Sequence, residues 1–580
     1  MGVAMASRGP DGAGTWLSTD ERVGLTHRRL AIIELSGAGA QPMIDDDTGC
    51  AIAFNGEIYN FQELRRALEG RGHRFRGNSD TEVILRSYVE SGPEFLPRLR
   101  GMFSFAIWDP RRRRAMLARD PFGIKPLYLT CDGKSVRFAS QVKALIAGRG
   151  PIDTRIDPAA QVGFMMWGYV PAPFTTYRGI RSLPAGSYAF VDSQGLSAPQ
   201  QFWSLREEMQ RGEARPSAGE APPDPDALGD ALYDSVRHHL IADVPVGVFL
   251  SAGIDSTSIA ALAARAQAPK RIRTLTLAFD EFLGSSEDEA PFAERIATLI
   301  GTEHQTVKVC PSDFATEFER AIESMDQPTV DGINTYFVSK AAREAGLKVV
   351  LSGLGGDELL AGYRLFTGIP RHLALTRGTA RFPAFGKVVR RSSALAWRLA
   401  GKPKAAGFIE YGSDTASAYM LHRCLFMPWE LDGVIDRETL NAGLASLDTL
   451  ARLRREIDGI RSPTLQIAAL EVGNYMRDQL LRDSDWASMA HSLELRVPLV
   501  DVPLFRRVLE LRASGIDCSK AAACGSASAD ALKLIAGRRK TGFGIPISSW
   551  MRHLGMPPRV SGHPMRAWAI MVASRGFSKR

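Results

Sequence analysis

The sequence predicts two folded units: an α+β sandwich, then an α/β unit on a parallel sheet with a mostly helical C-terminal part. Three observations carry that reading. At 580 residues the chain is too long for a single core. Up to about residue 200, short alternating apolar runs dominate, with two early helical patterns among them, as in an α+β layered structure. From 227 to 351, short apolar strands alternate with helical patterns, the order of a doubly wound parallel sheet.

Bulk composition is that of an ordinary globular protein, with 45% hydrophobic and 23% charged residues. A net charge of +8 is mild for this length. The run Arg111 to Arg114 lies between two strand patterns without interleaved aromatics, so it reads as a solvated hairpin turn and not as a nucleic-acid patch. No signal peptide and no apolar run long enough to span a bilayer is seen, so no membrane partner is expected. Six cysteines without paired metal spacing point to a reduced, cytoplasmic protein, with Cys50 and Cys131 as small buried apolar residues.

In the first unit, residues 26–33 read as a strand. Residues 51–60 read as another, turning tightly at the dipeptide Asn55-Gly56. Residues 61–70 have helical spacing, and the polar stretch 78–82 supplies the N-cap of a second helix over 83–88. Strands follow at 101–108, 115–118, 126–129 and 136–139. Residues 207–225, charged and rich in Pro and Gly, have no apolar period and read as an exposed linker.

The second unit opens with a helix over 227–240 and a buried strand over 246–250, followed at once by Ser251, Gly253, Asp255 and Ser256 and then a helix. Strand, small-residue loop and helix N-terminus form an anion site, because free N–H groups and the positive dipole end face a phosphate. Asp255 in that loop suits Mg²⁺ on a nucleotide's phosphates. The spacing is not that of the common P-loop, whose lysine is absent. Strands at 274–279, 305–309 and 348–351 alternate with helices at 290–300, 314–325 and 334–345. The strand at 348–351 ends in a second glycine loop, Ser-Gly-Leu-Gly-Gly-Asp over 352–357, at the strand edge where ligands bind in such sheets.

These motifs carry a resemblance. Ser-Ala-Gly-Ile-Asp-Ser at 251–256 resembles the loop of ATP pyrophosphatases, with Ala252 where that loop has Gly. Arg-Gly-Pro-Asp at 8–11, His-Arg-Arg-Leu at 27–30, Asn-Gly-Glu-Ile-Tyr-Asn at 55–60, Ser-Asp-Thr-Glu at 79–82 and the stretch 119–128 resemble the glutaminase half of class II (N-terminal nucleophile) glutamine amidotransferases. The second glycine loop, the stretches 482–490 and 493–501, and Arg-Lys-Thr-Gly-Phe-Gly at 539–544 are similar to asparagine synthetases of the glutamine-hydrolysing B-type class. The fold implied is an N-terminal nucleophile-type sandwich over 1–205, a linker over 206–226, an ATP-pyrophosphatase unit over 227–555 and an atypical tail over 556–580.

The resemblance implies roles. Arg29 would bind the glutamine carboxylate, and Glu57 and Asp80 its amino group. Asn55 and the Gly56 N–H would form an oxyanion hole. Leu250, Ser251, Gly253, Ser256, Leu277, Ser352 and Gly353 would contact ATP. Asp255 and Asp357 would serve Mg²⁺, and Lys540 would stabilise charge on the transferring phosphate. The substrates implied are aspartate with glutamine or ammonia, and the chain is a candidate homodimer.

Departures from the pattern are visible. The family's nucleophile is an N-terminal cysteine, whereas this sequence opens Met-Gly-Val-Ala-Met-Ala, so the reading is of a start short of the family's and of doubtful glutaminase activity. Leu354 replaces an acidic residue, Gln327 a Glu and Trp486 an Arg. These leave room for another carboxylate acceptor, such as a sugar acid in polysaccharide assembly. A β-lactam-synthetase-like ligase fits less well, because the glutamine pocket is complete. A non-catalytic nucleotide-binding paralogue is the third reading. Glu494 and Arg496 read equally as site residues and as a buried structural pair. The Ala- and Ser-rich run 519–529 is unlike a well-packed helix, and the tail has no clear pattern.

Overall fold

The computed structural model describes residues 1–213, 224, 226–379, 382–537, 544, 546–553 and 564–577. In the first unit, strands Met43–Ile44, Ala51–Ile58, Gly101–Asp109, Arg114–Arg119, Ser187–Asp192 and Gly195–Leu196 lie side by side in one antiparallel sheet. Side chains alternate across it. Phe54, Phe103 and Phe105 pack against Leu68, Val83, Ile84 and Tyr88 of the helices Phe61–Glu69 and Asp80–Ser91. On the other face, Ala51, Ala106 and Leu117 meet Leu25 and Leu129 of the smaller sheets, with Leu127 and Leu183 beside their strands, completing the sandwich. Asp109 accepts N–H bonds from Arg111 and Arg112, closing the hairpin that carries the exposed arginines.

The second unit holds a five-stranded parallel sheet. Its order is Glu303–Val309, Arg273–Phe279, Val246–Phe249, Val349–Leu351 and Glu494–Arg496. The chain starts in the middle, winds to one edge, then returns to build the other. The topological switch point therefore falls between Val246–Phe249 and Val349–Leu351, and both glycine loops leave the C-terminal ends of those two strands. That is why two loops distant in sequence face each other.

Several sequence expectations are corrected. Asn55-Gly56 makes no turn: the strand Ala51–Ile58 runs through it, pairing Gly56 with Phe103. Gly56 is needed for a different reason, since its φ is +145° and a Cβ would lie 2.0 Å from the Met102 carbonyl oxygen. Part of the expected linker is a helix, Leu205–Arg211, capped by Ser204 and held by Glu208, which is buried and paired with Arg506 at 2.6 Å. The Ala- and Ser-rich run forms the helix Lys520–Ala527, whose small buried residues Ala523 and Cys524 allow close packing on the helix Ile254–Gln267. The tail contains the helix Pro564–Gly576, anchored by buried Trp568 edge-on to Phe318 and by the pair Arg566–Glu430 at 2.8 Å. Cys131 is exposed at the end of the strand Tyr128–Cys131, whereas Cys50 is buried.

Buried ion pairs join the two units. Arg8 forms a bidentate pair with Asp485 at 2.6 and 2.9 Å. Arg100 pairs with Asp501 at 2.7 Å, and Gln327 donates to the Tyr128 hydroxyl at 3.0 Å. Gln327 thus belongs to this interface.

Candidate active site

Two clefts gather the residues singled out above. The first is a cavity of about 240 Å³ in the sandwich, lined by Arg29, Asn55, Gly56, Glu57 and Asp80 among others. Arg29 donates to the carbonyls of Ser36, at 2.9 Å, and Glu34, so its guanidinium pins the loop bordering the cavity. Asn55 donates to the Ser140 hydroxyl at 3.2 Å. Asp80 sits in the first turn of its helix and accepts the Ile58 N–H at 3.0 Å.

The cavity wall is shared between units, because Met489 and Glu494 reach it from the second. Arg496 is fully buried and holds Glu494 at 2.8 Å, lies 3.5 Å from Glu57, and donates to the carbonyls of His239 and Ile241. Glu494 and Arg496 are therefore a structural pair that also borders the glutamine-type cavity. Burial, then Glu494 and Asp80, push the Glu57 carboxyl well above its usual range against the pull of Arg496 and Lys125. Burial likewise raises Asp80 to about 6 despite N–H bonds from Ile58 and Thr81. Burial makes negative charge costly on both carboxyls, and an incoming ammonium group relieves that cost. Glutamine affinity, measured by calorimetry, is expected to be full above pH 7 and to weaken as pH falls through about 6, where Asp80 takes up a proton. An affinity unchanged between pH 7.5 and 5.5 would remove Asp80 from that role.

The second cleft, about 340 Å³, lies over the switch point. Leu250, Ser251, Gly253, Asp255, Ser256, Leu277, Ser352, Gly353 and Asp357 all line it. Ser256 Oγ accepts the Ser251 N–H at 3.1 Å and lies 2.9 Å from Ser251 Oγ, locking the first loop in shape. The two loops abut. A Cβ at Gly353 would approach Ser256 N to 2.8 Å, and one at Gly356 would approach the Asp255 carboxyl carbon to 2.5 Å. Gly356→Ala is accordingly expected to raise the KM for ATP at least tenfold and to cost about 1–3 kcal/mol of stability. A variant with wild-type KM would show that the loops do not need this approach.

Lys520 was not singled out by the sequence. Its ammonium sits between the two predicted metal carboxylates, 2.5 Å from Asp357 and hydrogen-bonded to Asp255. Burial lowers its pKa, but Asp255 and Asp357 outweigh this and raise it, so it is charged at neutral pH. One cation already bridges both carboxylates, which fits a site for Mg²⁺ on phosphates: such sites use one or two carboxylates. Leu354 lines the same cleft, as do Asp331 and Asp483. Trp486, in place of a cation, donates its indole N–H to Asp483 at 2.9 Å and packs under Gly332. Burial holds Asp483 up at about 7, though Arg482 draws it down. Lys540 lies outside the described residues.

Together, the two clefts define an amidotransferase of two units, a glutamine-type sandwich and an ATP-pyrophosphatase-type sheet. Residues 1–203 match the glutamine amidotransferase domain family and residues 227–560 the asparagine synthase family. The chain belongs to the asparagine synthase family. The glutamine-hydrolysing asparagine synthetase 1 of Bacillus subtilis is 30% identical over 564 residues, covering 95% of this chain and 84% of that protein. A Mycobacterium bovis protein described as an asparagine synthetase is 33% identical over 583 residues, covering 94% and 84%. Asparagine synthetase B of Escherichia coli is 33% identical over 392 residues, covering 65% and 63%.

Proposed function

We propose that this chain makes asparagine from aspartate and ATP, taking nitrogen from glutamine or ammonia and releasing AMP and pyrophosphate. The observation that carries the reading is the convergence of nine residues named from sequence, the carboxylates Asp255 and Asp357 among them, with Lys520 on one cleft at the switch point. One oxygen of the aspartate side-chain carboxylate attacks the α-phosphorus of ATP. The bond to the bridging oxygen breaks and pyrophosphate leaves. Ammonia then attacks the acyl carbon, loses a proton and expels AMP.

The chain's own residues divide this work. N–H groups at the start of the helix Ile254–Gln267 face phosphate oxygens, while Leu250 and Leu277 offer apolar surface to the base. Lys520 neutralises charge on the departing pyrophosphate, a role it shares with Lys540. Asp255 and Asp357 would hold Mg²⁺, which lowers the charge on the phosphates when bound. Glu57, Asp80, Arg29, Asn55 and Gly56 receive glutamine. The setting is the cytoplasm, and sedimentation velocity decides between monomer and homodimer. No helix among the described residues is long and apolar enough to cross a membrane.

The test is pyrophosphate release with ATP, Mg²⁺, aspartate and an ammonium salt, with glutamine as a parallel nitrogen source. Release that depends on aspartate and yields asparagine is expected with ammonium. No release with either nitrogen source would overturn the reading.

A further inference from the structure

Residues 359–409 contain no Asp or Glu and ten Lys or Arg. The whole chain has 72 basic and 64 acidic residues, so outside this stretch 62 basic face 64 acidic. The net positive charge of the protein is concentrated here.

The same stretch is where apolar surface is exposed. Of the sixteen large hydrophobic residues exposed among the described ones, eight fall between Leu375 and Phe408. Most are on or beside the helix Pro383–Leu399. Its inward side is anchored: a Cβ at Gly386 would lie 2.7 Å from Glu410, and Arg390 pairs with Glu410 at 2.5 Å over the Trp429 ring. Its outward side carries Phe385, Val388, Leu395 and Leu399, between 50% and 81% exposed, spaced so that they form one stripe along the helix. Exposed Lys387, Arg391 and Arg398 flank that stripe on one side, and none of the three forms an ion pair among the described residues.

We propose that the helix Pro383–Leu399 docks this protein on an anionic lipid bilayer, lying in the interface without crossing it. An apolar stripe bordered by arginine and lysine matches such a surface in both polarity and charge. Nucleic acid has no use for the aliphatic stripe. A second copy of the helix would bring basic flank against basic flank with no acidic residue in the stretch to answer it. The inference revises the expectation of no membrane partner and is independent of the acceptor that the enzyme uses.

The experiment is flotation of the full chain with phosphatidylcholine vesicles, and with vesicles in which a quarter of the lipid is phosphatidylglycerol. Binding to the second only, weakened by high salt, is expected. Phe385→Ser with Leu395→Ser should lower the partition coefficient on the order of a hundredfold. Lys387→Glu and Arg391→Glu should lower it roughly fivefold or more each. Both sets should leave melting temperature and ATP affinity unchanged, since these side chains face outward. No flotation of the wild type, or equal flotation of the variants, overturns the proposal. So does a wild-type dimer that Phe385→Ser with Leu395→Ser dissociates, which would assign the stripe to a second copy.

Discussion

Lys520→Met is expected to lower aspartate-dependent pyrophosphate release by about 10²–10³-fold, the scale of losing one preorganised group at a transition-state charge. The physical case is local. Asp255 and Asp357 come from loops on adjacent strands, and the Lys520 ammonium lies between them. Methionine keeps the volume and removes the charge, leaving two carboxylates facing each other and the leaving pyrophosphate without its cation. Two further readouts separate chemistry from collapse. Mg²⁺ should raise the melting temperature of Lys520→Met more than that of the wild type, because divalent metal then meets the two carboxylates without a competing ammonium beside them. Lys520→Arg should retain more of the rate than Lys520→Met, since it keeps the charge. Wild-type turnover in Lys520→Met would remove this residue from the mechanism.

Arg496→Met is expected to destabilise the protein by roughly 3–5 kcal/mol, the range for breaking a buried pair from one side. Arg496 is fully buried and serves two acids and two backbone carbonyls at once. Without it, Glu494 and Glu57 are left buried with less positive charge beside them. Because Glu57 and Glu494 line the first cleft, glutamine affinity should fall together with stability. Differential scanning calorimetry and glutamine titration on the same variant check both effects. A variant that melts normally yet fails to bind glutamine would make Arg496 a site residue and not a structural one.

Much of the site was legible because its residues sit in short local patterns. A strand followed by a small-residue loop and a helix start is a local event, and its chemistry can be read from adjacent positions. Leu250, Leu277 and the seven loop residues named from sequence do share one cleft. Local signals failed where a neighbour distant in sequence overruled them. Asn55-Gly56 has the composition of a turn, yet pairing with the strand Gly101–Asp109 keeps it extended. The run 519–529 lacks an amphipathic pattern, yet its small side chains let one helix approach another closely.

The sequence by itself determined the strand and helix order, the two glycine loops and the identity of the carboxylates beside them, since each follows from spacing along a few residues. Tertiary structure decided which distant groups share a site. Lys520 meets Asp255 across 265 positions, and Glu494 joins the cleft of the first unit, because parallel-sheet winding and close helix packing bring them there. No pattern within a single segment encodes such meetings, since they depend on how segments stack and not on what each one is.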